Sequence, residues 1–336
     1  MSYIKKIPFF LTIISFLTFF TSANAEVKVV ASIKPIHSLA SYLMDGIGKP
    51  DLIVDGYASP HGFAMKPSHA KMLQDADIIF WVGEDLENFL VKPLNSIAKK
   101  AEKIELMQVK GIQILEFRER NIFDEHEHDE HGHDDHAKKE DDHDDHDDHD
   151  DHDDHDDHDD HDEHAHGEHD PHAWLSIENA QTWLNLVAGK LSAADPENAG
   201  VYFANAAEAR AEIDELVKEV NNILEPVRGR NFVVFHDAYQ YFETSFDFPA
   251  AGAISLGDAS DPSAARIAEI QDRVKDEGIN CVLSEPQYNP NLVTTVLSGT
   301  DAKTGVIDPL GASLEPGPNL YRDLIRNMAK SLAGCL

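Results

Sequence analysis

The sequence predicts an α/β protein of two lobes, each with a parallel four-stranded sheet flanked by helices, joined by one long helix. Short runs rich in Val and Ile alternate with helical patterns in both halves of the 336-residue chain, as they do in parallel α/β sheets. A single long amphipathic pattern lies between the halves. The hydrophobic fraction of 42% is enough for packed cores and excludes a wholly disordered chain.

The predicted strands and helices follow one another in the same rhythm in both lobes. In the first lobe, residues 26–190, the β-branched runs predict strands at 27–33, 51–55, 77–82 and 103–107. Helical patterns lie between them at 38–44, 67–74 and 86–99. The second lobe, residues 230–336, has predicted strands at 232–235, 250–254, 280–284 and 305–307. Its predicted helices are 239–245, 262–277, 290–297 and 320–332.

The helix that joins the lobes is predicted over residues 195–226. Ile213, Leu216, Val217 and Val220 recur at helical spacing and give the pattern one apolar face. Because a packed, continuous helix of this length resists hinging, we expect little bending between the lobes.

The first 25 residues have the features of a secretory signal. Lys5 and Lys6 precede an apolar run over 7–20, and Ala23-Asn24-Ala25 supplies the small-x-small pattern of a cleavage site. The run is about 14 residues long, whereas a membrane span needs about 20, so a membrane anchor is the weaker alternative. We therefore predict cleavage after Ala25 and a periplasmic location.

The chain has two cysteines, Cys281 and Cys335. Two are too few for a fold that depends on a network of disulfides. Export to an oxidising compartment nevertheless allows them to form one disulfide bond. Two buried free thiols are the alternative.

The charge of the chain is concentrated in one insert. The formal net charge is −34, of which residues 121–170 carry −24 together with 15 of the 20 histidines. Binding to nucleic-acid phosphates calls for clustered Lys and Arg, so this balance argues strongly against a nucleic-acid partner.

Residues 141–161 of the insert are seven consecutive Asp-Asp-His triplets. The insert has almost nothing apolar to bury, so we expect it to be disordered without a ligand. Imidazole is a good ligand for Zn, Cu and Ni, and a flexible chain can gather several around one ion. We predict auxiliary, weaker metal binding by His143, His146, His149, His152, His155, His158 and His161. A solvated acidic loop is the alternative, but it would not need a histidine at every third residue.

Outside the insert, three histidines and one aspartate are candidates for a single metal site in the cleft between the lobes. His61 follows a predicted strand, and His236 and Asp308 each end one. His172 opens the loop before a helix. Ligands of parallel α/β sheets bind beyond the carboxyl ends of the strands, and three imidazoles with one carboxylate suit tetrahedral Zn(II). Two further histidines, His37 and His69, are weaker candidates.

The motifs around these residues resemble those of zinc-binding solute-binding proteins of bacterial ABC uptake systems, the ZnuA type. The resemblance covers essentially the whole mature chain, includes the His-rich insert and the paired cysteines, and implies two α/β lobes joined by a long helix. The motifs are Ser59-Pro-His61 with Lys66-Pro-Ser68, Asp170-Pro-His172-Ala-Trp-Leu175, Phe235-His236-Asp-Ala-Tyr239, Ser284-Glu-Pro-Gln287 and Asp308-Pro-Leu-Gly311.

The resemblance implies that His61, His172 and His236 are the metal ligands. Asp308 matches a further ligand of manganese-binding relatives, which resemble this chain but carry Glu where His236 stands. Histidine at that position favours Zn(II), since harder carboxylate sites suit manganese better. Some zinc-binding members have Glu just before the first histidine. Here that residue is Pro60, which leaves Asp308 or water as the fourth ligand.

The function that the resemblance implies is binding without catalysis. The protein would capture Zn(II) in the periplasm and deliver it to an inner-membrane ABC permease. We expect a monomer, with a periplasmic zinc chaperone as a further partner. A zinc hydrolase is a second interpretation, because three histidines and an open position also describe catalytic zinc. The sequence lacks HExxH and G-x-S-x-G motifs, and Glu285 is the one nearby candidate base. An adhesin or a periplasmic zinc buffer is a third interpretation.

Overall fold

The computed structural model describes residues 26–118, 169–255 and 263–336. The predicted signal peptide and the seven triplet histidines of the insert lie outside these ranges. Within them, no helix combines the length and the apolar character that crossing a membrane requires.

The first lobe contains a parallel sheet of four strands in the order β2-β1-β3-β4. Strands β1 and β3 are buried along their whole length, as expected where helices cover both faces of a parallel sheet. The strands are β1 (Val29–Ile33), β2 (Asp51–Val54), β3 (Ile78–Trp81) and β4 (Glu102–Glu105). The helices are α1 (Lys34–Leu43), α2 (Pro67–Asp75), α3 (Glu84–Ser96) and α4 (Ile177–Ala194).

The second lobe repeats this architecture, with its parallel strands in the order β6-β5-β7-β8. The strands are β5 (Phe232–His236), β6 (Gly252–Ser255), β7 (Cys281–Ser284) and β8 (Lys303–Val306). The helices are α6 (Gln240–Phe246), α7 (Ala264–Asp276), α8 (Pro290–Val296) and α9 (Leu320–Cys335). The predicted fold class is therefore confirmed.

One helix of 26 residues, α5 (Ala199–Leu224), joins the lobes. At 1.5 Å per residue it is about 39 Å long. Its buried side chains, which include Ile213, Leu216 and Val220, form the predicted apolar face. The helix packs against α4 of the first lobe and α9 of the second, and Arg326 of α9 forms an ion pair with Glu219 at 2.7 Å. Contact with both lobes along its length restrains their relative orientation.

Several element boundaries differ from the predicted ones. Helix α1 begins at Lys34 rather than at residue 38, because Pro35 is tolerated in a first helical turn, where its missing N–H would have no partner. Residues 106–108 form a short 3-10 helix instead of extending β4. Strand β8 lies at 303–306 rather than 305–307, and the linking helix is preceded by a separate 3-10 turn at 196–198.

The predicted disulfide is present. It joins Cys281, the first residue of β7, to Cys335 at the end of α9, and both residues are buried. The bond ties the C-terminal helix to a central strand of the second lobe.

Removing this bond in the variant Cys281→Ala/Cys335→Ala is expected to lower the free energy of unfolding by about 4 kcal/mol. The bonded residues are 54 positions apart, and a loop of that length loses much of its conformational entropy in the unfolded chain when it is closed. Urea denaturation of the wild type and the variant measures the difference. Dithiothreitol should destabilise the wild type to the same extent and leave the variant unchanged. A loss below about 1 kcal/mol would contradict the expected contribution.

Candidate metal centre

Three histidines from both lobes meet at the carboxyl ends of the sheets. His236 is the last residue of β5, and His61 lies on the loop between β2 and α2. His172 directly precedes the short 3-10 helix Ala173–Leu175 that leads into α4. Among the residues that the structure describes, these three form the one group of His, Cys, Asp and Glu side chains arranged to hold a metal ion.

Two of the three distances between the ring nitrogens match those of tetrahedral zinc. Nε2 of His172 lies 3.3 Å from Nε2 of His61 and 3.3 Å from Nε2 of His236. One nitrogen from each of the three histidines lies within 4.8 Å of the others. Two nitrogens bound at about 2.0–2.1 Å to a tetrahedral zinc ion would lie about 3.3 Å apart. A single ion can therefore contact all three rings after a small adjustment.

Two buried carboxylates set the tautomers of the rings. Asp170 Oδ1 lies 2.7 Å from Nδ1 of His172, and Glu285 Oε1 lies 2.6 Å from Nδ1 of His236. A carboxylate accepts hydrogen bonds, so Nδ1 of each ring carries the proton and donates it. In the neutral rings both Nε2 lone pairs then point into the same space. A cation placed there satisfies both, which makes the arrangement fit a metal ion.

The two buried histidines differ in their affinity for a second proton. Burial lowers the pKa of His172 to about 4, although Asp170 acts in the opposite direction. Burial also opposes protonation of His236, but the carboxylates of Glu285, Asp237 and Asp170 together outweigh it and raise the pKa. In the metal-free protein, His236 is therefore the first of these two rings to take up a proton.

The space between the ligands is small. Its free volume is about 10 Å³, near the minimum that holds one water molecule. Its walls include Ser59 and Pro60 of the first lobe and Pro309 and Leu310 of the second. A pocket of this size accommodates an ion or a water molecule and leaves no room for an organic substrate.

Asp308, the fourth predicted ligand, lies outside the histidine group. Its Oδ1 accepts hydrogen bonds from the backbone N–H groups of Leu310 and Gly311 and from the side-chain amide of Gln287. Its Oδ2 accepts one from the N–H of Ala312 at 2.6 Å. The carboxylate thus stabilises its own loop, and a metal ion would compete with these donors for it.

The two weaker histidine candidates also lie outside the group. Nε2 of His37 is 3.0 Å from the carbonyl oxygen of Pro50, and its Nδ1 is 3.3 Å from Ser41 Oγ. Nδ1 of His69 accepts a hydrogen bond from the N–H of Lys66 at the start of α2. Both histidines serve local structure in the first lobe.

The segments on either side of the insert are fixed next to His172. The N–H of Asp170 donates to the carbonyl oxygen of Leu115, and Glu116 and His169 form an isolated antiparallel bridge. The hydroxyl group of Tyr241 in α6 donates to the carbonyl oxygen of Asp170. We call residues 115–118 together with 169–170 the stem. The stem holds the carboxylate that orients His172.

Asp170 and Glu285 are hydrogen-bond partners of the histidines that the sequence motifs alone did not predict. The sequence does contain a feature that could have indicated the role of Asp170. An Asp can accept a hydrogen bond from the backbone N–H two residues later in an Asx turn, and Asp170 lies two residues before His172. Its Oδ1 does accept the N–H of His172 at 2.9 Å. Glu285 follows β7, which pairs with β5, and this adjacency becomes visible only when the strand order is known.

Comparison with known proteins finds relatives that are named for zinc uptake. The family described as "Zinc-uptake complex component A periplasmic" matches residues 29–335. The chain is 48% identical over 314 residues to the high-affinity zinc uptake system protein ZnuA of Brucella abortus (strain 2308), covering 94% of this chain and 93% of that protein. It is 44% identical over 316 residues to the protein of the same name from Paracoccus denitrificans (strain Pd 1222), with coverage of 94% and 93%.

Solved structures share the fold at low sequence identity. A crystal structure of ZnuA superimposes with a TM-score of 0.70 and 21% identity, covering 93% of this chain and 99% of that one. The laminin-binding protein Lmb of Streptococcus agalactiae, described as a bifunctional protein with adhesin and metal transporting activity, gives a TM-score of 0.69 at 20% identity, covering 93% and 99%. Identities this low support the architecture alone.

Proposed function

The chain belongs to the family of periplasmic zinc-uptake components of the ZnuA type, and on this premise we propose that it captures Zn(II) and delivers it to an ABC permease. The protein is a binding protein and not an enzyme. The proposal rests on the clustering of His61, His172 and His236 around one small pocket. Neutral imidazoles in tetrahedral arrangement are ligands that Zn(II) prefers.

We propose water as the fourth ligand. The carboxylate of Asp308 already accepts four hydrogen bonds, so coordination would cost the loop part of its support. Water needs no such rearrangement and leaves readily when the ion is passed on.

The processing, location and partners of the protein are further proposals that rest on the same family membership. We propose that residues 1–25 are removed on export, that the mature chain works in the periplasm as a monomer, and that a zinc chaperone is a further partner. The chain divides into a first lobe over 26–190, a linking helix over 195–226 and a second lobe over 230–336. The permease in the inner membrane receives the ion.

Two measurements test the proposed function. The mature protein should bind one Zn(II) tightly in competition with a chelator, and should prefer Zn(II) to Mn(II) because no ligand in the histidine group is a carboxylate. Cells that lack the gene should grow poorly when zinc is scarce, and added zinc should restore growth. Preference for Mn(II), or a growth defect that zinc does not correct, would contradict zinc delivery.

Deleting residues 124–168 is expected to leave the tight site intact and to remove weaker binding. The deletion keeps the stem, so Asp170 still orients His172. The deleted segment contains the seven triplet histidines, and its fourteen histidines could hold about three to five ions at three or four ligands each. Calorimetry with zinc on both proteins measures the stoichiometry. A full-length protein that binds one ion in total would make the insert an acidic spacer.

A further inference from the structure

A buried lysine connects the two lobes behind the metal site. Lys34 is the first residue of α1, and only 4% of its surface is exposed. Its ammonium group reaches the second lobe and donates to the carbonyl oxygens of Gly311, Ala312 and Leu314, at 3.3, 2.8 and 2.9 Å. A buried ammonium group needs such partners, because leaving water without them is costly.

The same ammonium group also binds the first lobe. Nζ of Lys34 lies 3.3 Å from Oδ1 of Asp55, the residue that follows β2 and opens the loop to His61. The side chain of Asp55 is 61% exposed, so this ion pair alone contributes little to stability. The ion pair nevertheless has a geometric effect. Through Lys34 it connects the start of the His61 loop to the segment 311–314 of the second lobe.

The two segments that Lys34 joins each continue into residues that form a wall of the candidate metal site. Ser59, Pro60 and His61 come from the loop that Asp55 opens, and Pro309 and Leu310 come from the segment that leads to Gly311. Trp174 supports the second wall by donating its indole N–H to the carbonyl oxygen of Pro309 at 2.7 Å.

We propose that Lys34 is a positioning residue that holds these two walls together and thereby sets how long a zinc ion stays bound. The inference rests on the proposed function, since it concerns release of the ion from the same site. Lys34 does not contact the ion. It acts by fixing the His61 loop against the second lobe. Without its ammonium group, the carbonyl oxygens of Ala312 and Leu314 lose a donor at the lobe boundary, and the two walls can separate.

The variant Lys34→Met keeps the aliphatic stem and removes the charge and the donors. We expect zinc to dissociate at least about tenfold faster, because breaking buried, charged hydrogen bonds between the lobes makes separation of the two walls easier by an amount equivalent to about tenfold or more. The rate is measured by mixing the zinc-loaded protein with an excess of a chromogenic chelator. The visible spectrum of the Co(II)-loaded protein should stay unchanged, since all three ligands are retained. A purely structural role would lower the unfolding midpoint and leave release unchanged at temperatures well below it.

Lys190→Met is the matched control. Lys190 forms an ion pair with Glu102, but both partners belong to the first lobe, so zinc release should keep the wild-type rate. Asp55→Ala is the second variant, at a side chain that is 61% exposed and therefore contributes little to folding. It removes both the charge and the acceptor that tie Lys34 to the His61 loop and leaves the three carbonyl contacts, so release should again be faster.

The outcomes distinguish failure of the positioning role of Lys34 from failure of the proposed zinc-binding function. Release from Lys34→Met at the wild-type rate, or accelerated no more than in Lys190→Met, would overturn the positioning role. If Lys34→Met does not fold, wild-type release from Asp55→Ala would overturn it. A wild-type protein that binds no zinc tightly would instead overturn the proposed function itself.

Discussion

Replacing His172 with alanine is expected to raise the zinc dissociation constant by at least about 100-fold. Removing a residue that merely orients a metal ligand costs 10- to 100-fold in affinity, and removing the ligand itself should cost at least as much. His172 is the central residue of the histidine group, because its Nε2 lies 3.3 Å from the Nε2 atoms of both His61 and His236. Its loss also leaves Asp170 without the ring that it orients. Chelator competition at pH 7.5 measures the constant.

His69→Ala is the matched control for this variant. His69 is a largely buried histidine of the same lobe, but its Nδ1 accepts the N–H of Lys66 and it is not part of the histidine group. Its replacement should leave zinc affinity within about twofold of wild type, since no bond to the ion is lost. Equal affinity of His172→Ala and wild type would remove His172 from the site.

Acidification from pH 8 to pH 5 is expected to weaken zinc binding by at least about 30-fold. A protonated imidazole cannot coordinate, so protons compete with the ion. A histidine with the ordinary pKa of about 6.5 would by itself account for about 30-fold over this range. The folded-state pKa of His236 is raised, because Glu285 and the nearby carboxylates of Asp237 and Asp170 together outweigh the effect of burial. The competition therefore begins at higher pH and the loss is larger. His172, with a pKa of about 4, adds to the loss only in stronger acid.

Glu285→Gln is the informative variant for this prediction. The amide cannot attract the proton on His236 as the carboxylate does, so the pH at which binding weakens should move downward. At pH 8 the same variant should bind zinc about 10- to 100-fold more weakly, because the ring is less firmly oriented. Titrations between pH 5 and pH 8 measure both effects. An affinity that is independent of pH over this range would contradict a site made of three histidines.

The sequence predicts the elements of this fold well, because the strands are dense in Val and Ile and are separated by clear helical patterns. Strand β1 lies within the run predicted at 27–33, and α5 ends at Leu224, just before Pro226. Boundaries at prolines are less predictable. Pro35 lies inside the first turn of α1 and Pro93 lies inside α3, so a proline near a helix does not by itself mark its end.

The three histidines were predictable as a group because each lies near the end of a strand or opens a loop, which is where parallel sheets bind ligands. Asp308 has the same sequence context, so the same reasoning predicts it as a ligand. Asp308 differs from the three histidines in its hydrogen bonds, because the fold of residues 308–312 turns backbone N–H groups toward its carboxylate. Contacts of this kind depend on backbone geometry that residue types alone do not specify. The role of Lys34 likewise depends on a partner segment 277 residues further along the chain.

The shared strand order of the two sheets makes β1 and β5 equivalent strands in their respective lobes. His236 is the last residue of β5, and Lys34 directly follows β1. The candidate metal site at the end of β5 and the ammonium group of Lys34 after β1 therefore occupy corresponding points of the two lobes. Under the proposed function, the cation beside His236 is an exchangeable zinc ion, whereas the cation that follows β1 is the ammonium group of Lys34, a permanent part of the chain. The equivalent point of the first lobe is thus filled by a side chain of the protein itself, which contacts both the start of the His61 loop and the second lobe.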